Sequence, residues 1–142
     1  MAKNTTTASL TISASPDAVW AVVTDLESYP DWKSGISEAE GTAEVGNSFR
    51  FRADIAPERM VAMKVAELDA PHRMVLTGGL PLGLFKAMRS YEIEPTGKGC
   101  QVTVTESFKG LMKAFVRSPP TLQPSFELYC AGLQKEVKRR SR

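Results

Sequence analysis

Arg89, Tyr91 and Glu106 are the side chains whose types and spacing could support chemistry in this sequence. They lie in two stretches, 85–94 and 100–108, in which apolar and polar residues alternate, and such alternation predicts two half-buried β-strands. The Thr-Gly-Lys-Gly sequence between the stretches is typical of a hairpin turn. A four-residue loop at this turn places Arg89 directly opposite Glu106 on the neighbouring strand.

The apolar positions of the hairpin predict the direction of these side chains. The residues expected to face the protein interior are Tyr91, Ile93, Val102 and Val104. Because side chains alternate with period two, Arg89 and Glu106 should point inward as well. A buried charge is costly unless it is paired, so we predict an inward ion pair or polar cluster that could anchor the polar end of a ligand. The alternative is a solvated pair without a role at a cavity mouth, and a register shift of one residue would reverse the orientation.

The other residues that often carry chemistry do not form a recognisable site. His72 is the single histidine and follows a proline in a predicted turn, so neither a histidine metal triad nor a Ser-His-Asp relay is predicted. Cys100 and Cys130 have neither CxxC spacing nor a histidine nearby, which argues against structural zinc and favours free thiols in a reducing compartment. We therefore predict no metal and no cofactor. The net charge of +2 is too small to indicate nucleic-acid binding.

The elements that must position the hairpin residues follow from the apolar patterns. A chain of 142 residues fits one domain, 1–142, that can build a core without disulfides. The predicted elements are a strand at 5–13, a helix from Pro16 to about 25 with Ser15 as N-cap, a helical turn at 27–32, strands at 36–43, 48–55, 59–68, 73–78, 85–94 and 100–108, and a long helix at 121–139. Contiguous strands favour antiparallel pairing. The predicted fold class is α+β: a curved antiparallel sheet of about seven strands wrapped around a long C-terminal helix, with two short helices after the first strand.

A ligand-sized apolar cavity is expected between sheet and helix, because one helix stripe cannot fill the hollow of so wide a curve. That stripe comprises Leu122, Phe126, Cys130 or Tyr129, Leu133 and Val137. The residues predicted to line the cavity are Trp32, Phe51, Met63, Arg89, Tyr91, Val104, Glu106, Phe126 and Cys130. Core packing is the alternative for Trp32 and for each methionine. The apolar segments 78–85 and 109–120 are candidate gates. Segment 78–85 is alternatively a bulged, irregular strand edge, and 79–83 within it is predicted to be a loop or such an edge.

The stretch from Ile12 to Trp32 contains an Ile-x-Ala-x-Pro opening, Val-Trp in the first helix, and then an Asp and an aromatic-Pro-x-Trp turn. Together with the Glu-x-x-Pro-x-Gly-x-Gly hairpin at 92–99, this stretch resembles the START-like superfamily, also called SRPBCC. Within it, the likeness is to the polyketide cyclase/dehydrase and lipid-transport branch. The resemblance implies a helix-grip fold with a deep hydrophobic cavity. Members of the family bind lipids, sterols, polyketides and other hydrophobic compounds, and some act as cyclases or dehydratases.

Three functions stay open at this point. The favoured one is a non-enzymatic carrier or sensor that binds a small hydrophobic or lipid-like molecule. The second is a polyketide cyclase or aromatase, for which Glu106, Arg89 and Tyr91 are the candidate acid–base groups. The third is an accessory subunit that docks on a protein or membrane surface.

The sequence also bears on location and partners. Residues 1–10 lack the apolar core of a signal peptide, and no run of about 18 apolar residues occurs, so a cytoplasmic protein without a membrane span is expected. The basic tail consists of Lys135, Lys138, Arg139, Arg140 and Arg142. This tail suits the C-terminal end of a helix, and peripheral contact with an acidic membrane is the alternative. A monomer and a homodimer are both compatible with the sequence.

Overall fold

The computed structural model describes residues 5–80, 85–109 and 123–141. In chain order its elements are β1 (Thr5–Ile12), α1 (Pro16–Val23), a 3₁₀ helix (Leu26–Asp31), β2 (Ile36–Glu40), β3 (Ser48–Ala53), β4 (Val61–Asp69), β5 (Arg73–Leu80), β6 (Phe85–Thr96), β7 (Gly99–Lys109) and α2 (Gln123–Arg140). The seven strands form one antiparallel sheet in the order β1-β7-β6-β5-β4-β3-β2. The predicted fold class is confirmed: a curled antiparallel sheet grips the C-terminal helix, and two short helices follow the first strand.

Helix α1 begins at the predicted cap. The Ser15 hydroxyl accepts a hydrogen bond from the backbone N–H of Ala18 at 3.1 Å, and Pro16 occupies the first turn, where its missing N–H costs nothing. The buried face consists of Val19, Val22 and Val23. The helix ends at Val23, slightly earlier than predicted, and the chain then enters the 3₁₀ helix.

The hairpin of β6 and β7 has the predicted register, with Arg89 opposite Glu106. Its loop is two residues long rather than four, because Thr96 and Gly99 pair with each other as the last residues of the two strands. An added pair at the turn leaves the earlier pairs unchanged. The side chains of Arg89 and Glu106 are only 10% and 7% exposed. The inward orientation is therefore confirmed and solvation of the pair is wrong, whereas a role of the pair in ligand binding stays a prediction.

The turn between β3 and β4 is longer than predicted. Strand β3 ends at Ala53, and the N–H of Ala56 donates to the Ala53 carbonyl at 3.0 Å, which begins the turn. Strand β4 begins at Val61. Ile55, the last residue of the strand predicted at 48–55, lies outside β3 and is 39% exposed.

Strand β5 extends further than predicted, since its last residue, Leu80, pairs with Phe85 of β6. Of the two alternatives predicted for 79–83, the strand edge applies to Gly79 and Leu80 and the loop does not. Residues 81–84 of the first candidate gate lie outside the described residues. The second candidate gate also lies outside them, except for Lys109 at the end of β7.

Helix α2 covers the sheet with one side buried. Its buried residues are Phe126, Tyr129, Cys130, Gly132, Leu133, Glu136 and Val137. The predicted apolar stripe is confirmed where it is described, and Leu122 lies outside the described residues. Tyr129 and Cys130 are both buried rather than one or the other, because the packed face is wide. None of the described helices is long and apolar enough to cross a membrane.

Helix α2 approaches the end of the 3₁₀ helix closely at Gly132. A Cβ atom at this position would lie 2.7 Å from the carbonyl oxygen of Lys33 and 2.8 Å from that of Trp32. Because backbone oxygens cannot turn aside, an alanine here forces the helix away from its neighbour. We expect Gly132→Ala to lower the free energy of unfolding by about 2–3 kcal/mol in urea denaturation, despite the better helix propensity of alanine. Gln134→Ala, at an exposed position of the same helix, should change stability by about 0.5 kcal/mol or less.

Glu136 is a buried carboxylate in the last turns of α2. Its oxygens accept hydrogen bonds from Arg139 at 2.9 and 2.7 Å and from Arg140 at 2.8 Å. Arg140 also donates to Asp25 at 3.1 Å, which ties the end of α2 to the residue that precedes the 3₁₀ helix. The hydrogen bonds from Arg139, with the one from Arg140, outweigh burial and lower the pKa of Glu136 to about 2.

The lowered pKa of Glu136 predicts an acid-sensitive contribution to stability. The folded pKa lies below the ordinary value of 4.5, so the contribution is present above pH 4.5 and is lost as the pH falls toward 2. We expect this loss to be about 2 kcal/mol, allowing for the exposure of the two arginines. Urea denaturation of wild type and Glu136→Gln between pH 5 and pH 2 measures it as the difference between two pH profiles. Glu127→Gln, an exposed control on the same helix, should retain the wild-type profile.

Candidate functional site

Aromatic side chains fill the hollow between the sheet and α2. Tyr29, which is fully buried in the 3₁₀ helix, packs edge-on against Trp32, Phe49 and Tyr129, with ring centroids 5.3, 5.9 and 5.4 Å away. Trp32 and Tyr129 also contact each other, with their ring centroids 5.3 Å apart. Edge-on packing at these distances is the favourable geometry for aromatic rings. This aromatic cluster of Tyr29, Trp32, Phe49 and Tyr129 joins the 3₁₀ helix, β3 and α2.

A chain of hydrogen bonds runs through the aromatic cluster. The Tyr129 hydroxyl donates to the Tyr29 hydroxyl at 2.9 Å, and the Tyr29 hydroxyl donates to the carbonyl oxygen of Val23 at the end of α1. Burial, reinforced by the neighbouring tyrosines, raises the pKa of both phenols well above its ordinary value. Both hydroxyls therefore stay protonated, and they connect α1 to α2 across the interior.

Arg89 and Glu106 form a buried ion pair near this cluster, in which Arg89 Nε donates to Glu106 Oε1. The central carbon of the guanidinium lies 5.3 Å from the centre of the Phe51 ring and 5.1 Å from that of Phe126. Two aromatic rings thus flank the cation. Burial opposes the charge on Arg89, but the Glu106 carboxylate and the Tyr91 hydroxyl outweigh it and raise the pKa of Arg89 above its ordinary value. Arg89 is therefore a permanent cation in an aromatic environment.

A small pocket lies between α2 and the sheet beside this ion pair. Its volume is about 40 Å³, and its wall consists of Ser34, Gly35, Ile36, Phe51, Ala53, Ile55, Arg89, Tyr91, Val104, Ser125, Phe126 and Tyr129. One buried water needs roughly 10–15 Å³ of such space, so the pocket has room for only a few water molecules. Among the described residues this pocket is smaller than the ligand-sized cavity that the sequence predicts, because the aromatic cluster occupies part of the space between sheet and helix, and the larger cavity stays a prediction. The wall is mainly apolar, and Arg89 is its charged member.

The structure gathers five of the nine predicted cavity residues in this pocket: Phe51, Arg89, Tyr91, Val104 and Phe126. The other four, Trp32, Met63, Glu106 and Cys130, are buried but do not belong to its wall. Trp32 belongs to the aromatic cluster, and Glu106 is the ion-pair partner of Arg89. Burial raises the pKa of Cys130 to about 11, so its thiol stays protonated. Ligand binding by any of the nine residues stays a prediction.

Tyr29 and Tyr129 organise the site although sequence reasoning did not place them in it. Tyr29 is the aromatic residue of the aromatic-Pro-x-Trp turn. A buried tyrosine hydroxyl usually finds a hydrogen-bond partner, and this requirement is the sequence signal that could have placed Tyr29 in the site. Tyr129 lies three residues after Phe126, which puts the two rings on one helix face. The other wall residues that were missed are Ser34, Gly35, Ile36, Ala53, Ile55 and Ser125. They come from segments without a chemical signature.

The described residues offer little to a metal ion. His72 is exposed in the turn between β4 and β5, where its backbone N–H donates to the Asp69 carbonyl at 2.7 Å. Across 5–80, 85–109 and 123–141, no three His, Cys, Asp or Glu side chains are grouped as metal ligands.

Solved structures with this architecture share little sequence with the chain. A norcoclaurine synthase point mutant from Thalictrum flavum, in complex with a transition-state analogue, superposes with a TM-score of 0.73 at 17% identity, over 97% of this chain and 96% of that one. A protein from Nitrosomonas europaea gives 0.75 at 14% identity, over 99% and 98%. A START superfamily protein from Mycobacterium smegmatis gives 0.71 at 16% identity, over 97% and 99%. These likenesses show the fold alone. No protein of curated function matches the chain.

The sheet, the helix that it grips and the pocket between them define the helix-grip class of domain. Residues 3–139 match the family model described as polyketide cyclase / dehydrase and lipid transport, and the chain therefore belongs to that family. The resemblance carried by 12–32 and 92–99 is confirmed.

Proposed function

We propose that the protein binds a small, mainly apolar molecule in the pocket beside Arg89 and acts as a non-enzymatic carrier or sensor. The observation that carries this proposal is a mainly apolar wall with one cation, Arg89, which Glu106 holds inside the protein. Ligand pockets use a few fixed polar groups of this kind to orient an apolar molecule. Membership of a family described by lipid transport and polyketide conversion also supports a hydrophobic ligand.

Binding requires the pocket to enlarge. Its volume is about 40 Å³, whereas a cavity that admits a benzene-sized group measures about 150 Å³. Ile55 lies at the rim and is 39% exposed, so its side chain can rotate outward at little cost in buried area. Gly35 and Ser125 both line the pocket and lie close together, since a Cβ added to Gly35 would lie 3.7 Å from the Ser125 carbonyl oxygen. Separation of these two residues would widen the entrance.

A cyclase- or dehydratase-type enzyme is the second candidate, favoured by the family description and by the norcoclaurine synthase likeness. Acid–base catalysis near neutral pH works best with groups that titrate there. The Glu106 carboxylate and Tyr91 hydroxyl raise the pKa of Arg89, and burial raises the pKa of Tyr91. Both groups therefore act as hydrogen-bond donors, a role that a binding protein needs as much as an enzyme does.

The proposal extends to location and domain content. Cys100 and Cys130 are free, buried thiols, which suits a reducing compartment such as the cytoplasm. The family model spans 3–139, so a single domain would carry the binding function.

A fluorescence titration with N-phenyl-1-naphthylamine, a neutral apolar probe, tests the proposal. Wild type should give a saturable enhancement, and native mass spectrometry should show one probe per chain. Ala53→Phe places a ring in the pocket wall and should weaken binding by about tenfold or more. Ala62→Phe, at an exposed position of β4, is the matched control and should bind as wild type does. The absence of saturable binding by folded wild type, or equal binding by Ala53→Phe, would contradict the proposal.

A further inference from the structure

The polar groups of the pocket wall are arranged for a ligand that accepts hydrogen bonds. Arg89 is the charged residue among those that line it in the described part of the chain, and Tyr91 brings a phenolic hydroxyl to the same wall. The hydroxyl proton of Tyr129, which also lines the pocket, is already donated to Tyr29. The Glu106 carboxylate is not part of the wall and is bound to Arg89 Nε. Among the described lining residues, a ligand that enters the pocket therefore meets the Arg89 cation and no carboxylate.

The apolar part of the wall adjoins the cation. Phe51 and Phe126 flank the Arg89 guanidinium and also line the pocket, so the ring surfaces and the charge belong to one continuous surface. A guanidinium has five N–H donors in a planar fork. The hydrogen bond to Glu106 uses Nε, and the Tyr91 hydroxyl also contacts the guanidinium. The two Nη groups carry four of the five N–H donors, so N–H groups remain that can bind a carboxylate through both of its oxygens.

We infer that the ligand is a monocarboxylate with an apolar body, bound with its carboxylate toward Arg89 and its body against Phe51 and Phe126. This inference rests on the proposed function and specifies the chemical class of its ligand. Glu106 then has two effects: it holds Arg89 in place, and it competes with the ligand carboxylate for the same cation. Removal of its charge should therefore strengthen carboxylate binding, whereas removal of both charges should abolish the preference for a carboxylate.

Displacement of N-phenyl-1-naphthylamine by decanoate and by decan-1-ol tests the inference, because the two compounds share a chain length and differ in charge. For wild type at pH 7.5, decanoate should displace the probe at a concentration about tenfold lower than decan-1-ol. Glu106→Gln should bind decanoate several-fold more tightly and decan-1-ol as before. The double variant Arg89→Met/Glu106→Leu leaves no unpaired charge and should bind both compounds equally. Circular dichroism establishes that each variant is folded.

The outcomes separate this inference from the proposed function. If wild type binds decan-1-ol as tightly as decanoate, the carboxylate inference fails and the hydrophobic-ligand proposal stands. If neither compound displaces the probe and the probe itself does not bind, both fail. Weaker decanoate binding by a folded Glu106→Gln protein would show that Glu106 only supports Arg89 and would contradict the competition. The wild-type comparison needs no variant, so it decides the inference even if a substitution prevents folding.

Discussion

Replacement of Arg89 by methionine is expected to lower the free energy of unfolding by about 3–5 kcal/mol, because it leaves Glu106 as an unpaired carboxylate in the interior. The double variant Arg89→Met/Glu106→Leu removes both charges and should return to within about 2 kcal/mol of wild type. Chemical denaturation of the three proteins measures the comparison. The single variant should therefore be less stable than the double variant.

An exposed ion pair in the same sheet provides the control. Arg50 Nη1 lies 3.0 Å from Glu40 Oε1, and the two side chains are 54% and 62% exposed. Because solvent screens this pair, Arg50→Met should cost about 1 kcal/mol or less. Equal losses in the free energy of unfolding for Arg89→Met and Arg50→Met would mean that Glu106 contacts solvent or another partner. The proposed binding site could then not depend on a buried pair of Arg89 and Glu106.

Replacement of Tyr29 by alanine is expected to lower the free energy of unfolding by about 3–5 kcal/mol, since it removes the fully buried ring that contacts Trp32, Phe49 and Tyr129. Tyr29→Phe keeps the ring and removes only the hydroxyl. It leaves the Val23 carbonyl without this donor and should cost about 1–3 kcal/mol. Urea denaturation gives both values, and near-ultraviolet circular dichroism reports the loss of ordered aromatic packing.

Tyr129→Phe is the matched control for the hydroxyl chain. It removes the donor to the Tyr29 hydroxyl but leaves the hydrogen bond from Tyr29 to Val23 in place. The loss should therefore be smaller than for Tyr29→Phe, about 1 kcal/mol. A larger loss for Tyr129→Phe would indicate that the chain runs in the opposite direction or that the Val23 contact carries little energy.

Much of the fold was predictable because its signals are local. Ser15 and Pro16 mark the start of α1 by hydrogen bonding and geometry within one turn. Alternation with period two predicts the strands, and the pairing of Arg89 with Glu106 follows from two strands joined by a short turn. The predicted hairpin loop was two residues too long, but the predicted register was correct. The additional pair of Thr96 and Gly99 shortens the turn and leaves the earlier pairs unchanged.

Boundaries set by contacts outside a segment were less predictable. Ile55 fits the alternating pattern of β3, yet the chain turns at Ala53 and leaves that side chain at the pocket rim. Gly79 and Leu80 carry loop signals, but pairing with β6 extends β5 through both residues. In each case the hydrogen bonds of a neighbouring segment outweighed the local preference.

The sequence by itself determined the inward ion pair of Arg89 and Glu106, the amphipathic α2 and the family, because each depends on residue type at fixed spacing. Only the tertiary structure decided how the hollow is filled. Tyr29 and Tyr129 stand 100 positions apart in the chain and meet through their hydroxyls, and Gly132 sets how closely α2 can approach. A pocket volume is the small difference between the space that the sheet encloses and the side chains that enter it. It depends on rotamers and approach distances that no sequence period records, and for this reason the volume of about 40 Å³ that the described residues leave beside Arg89 could not be predicted.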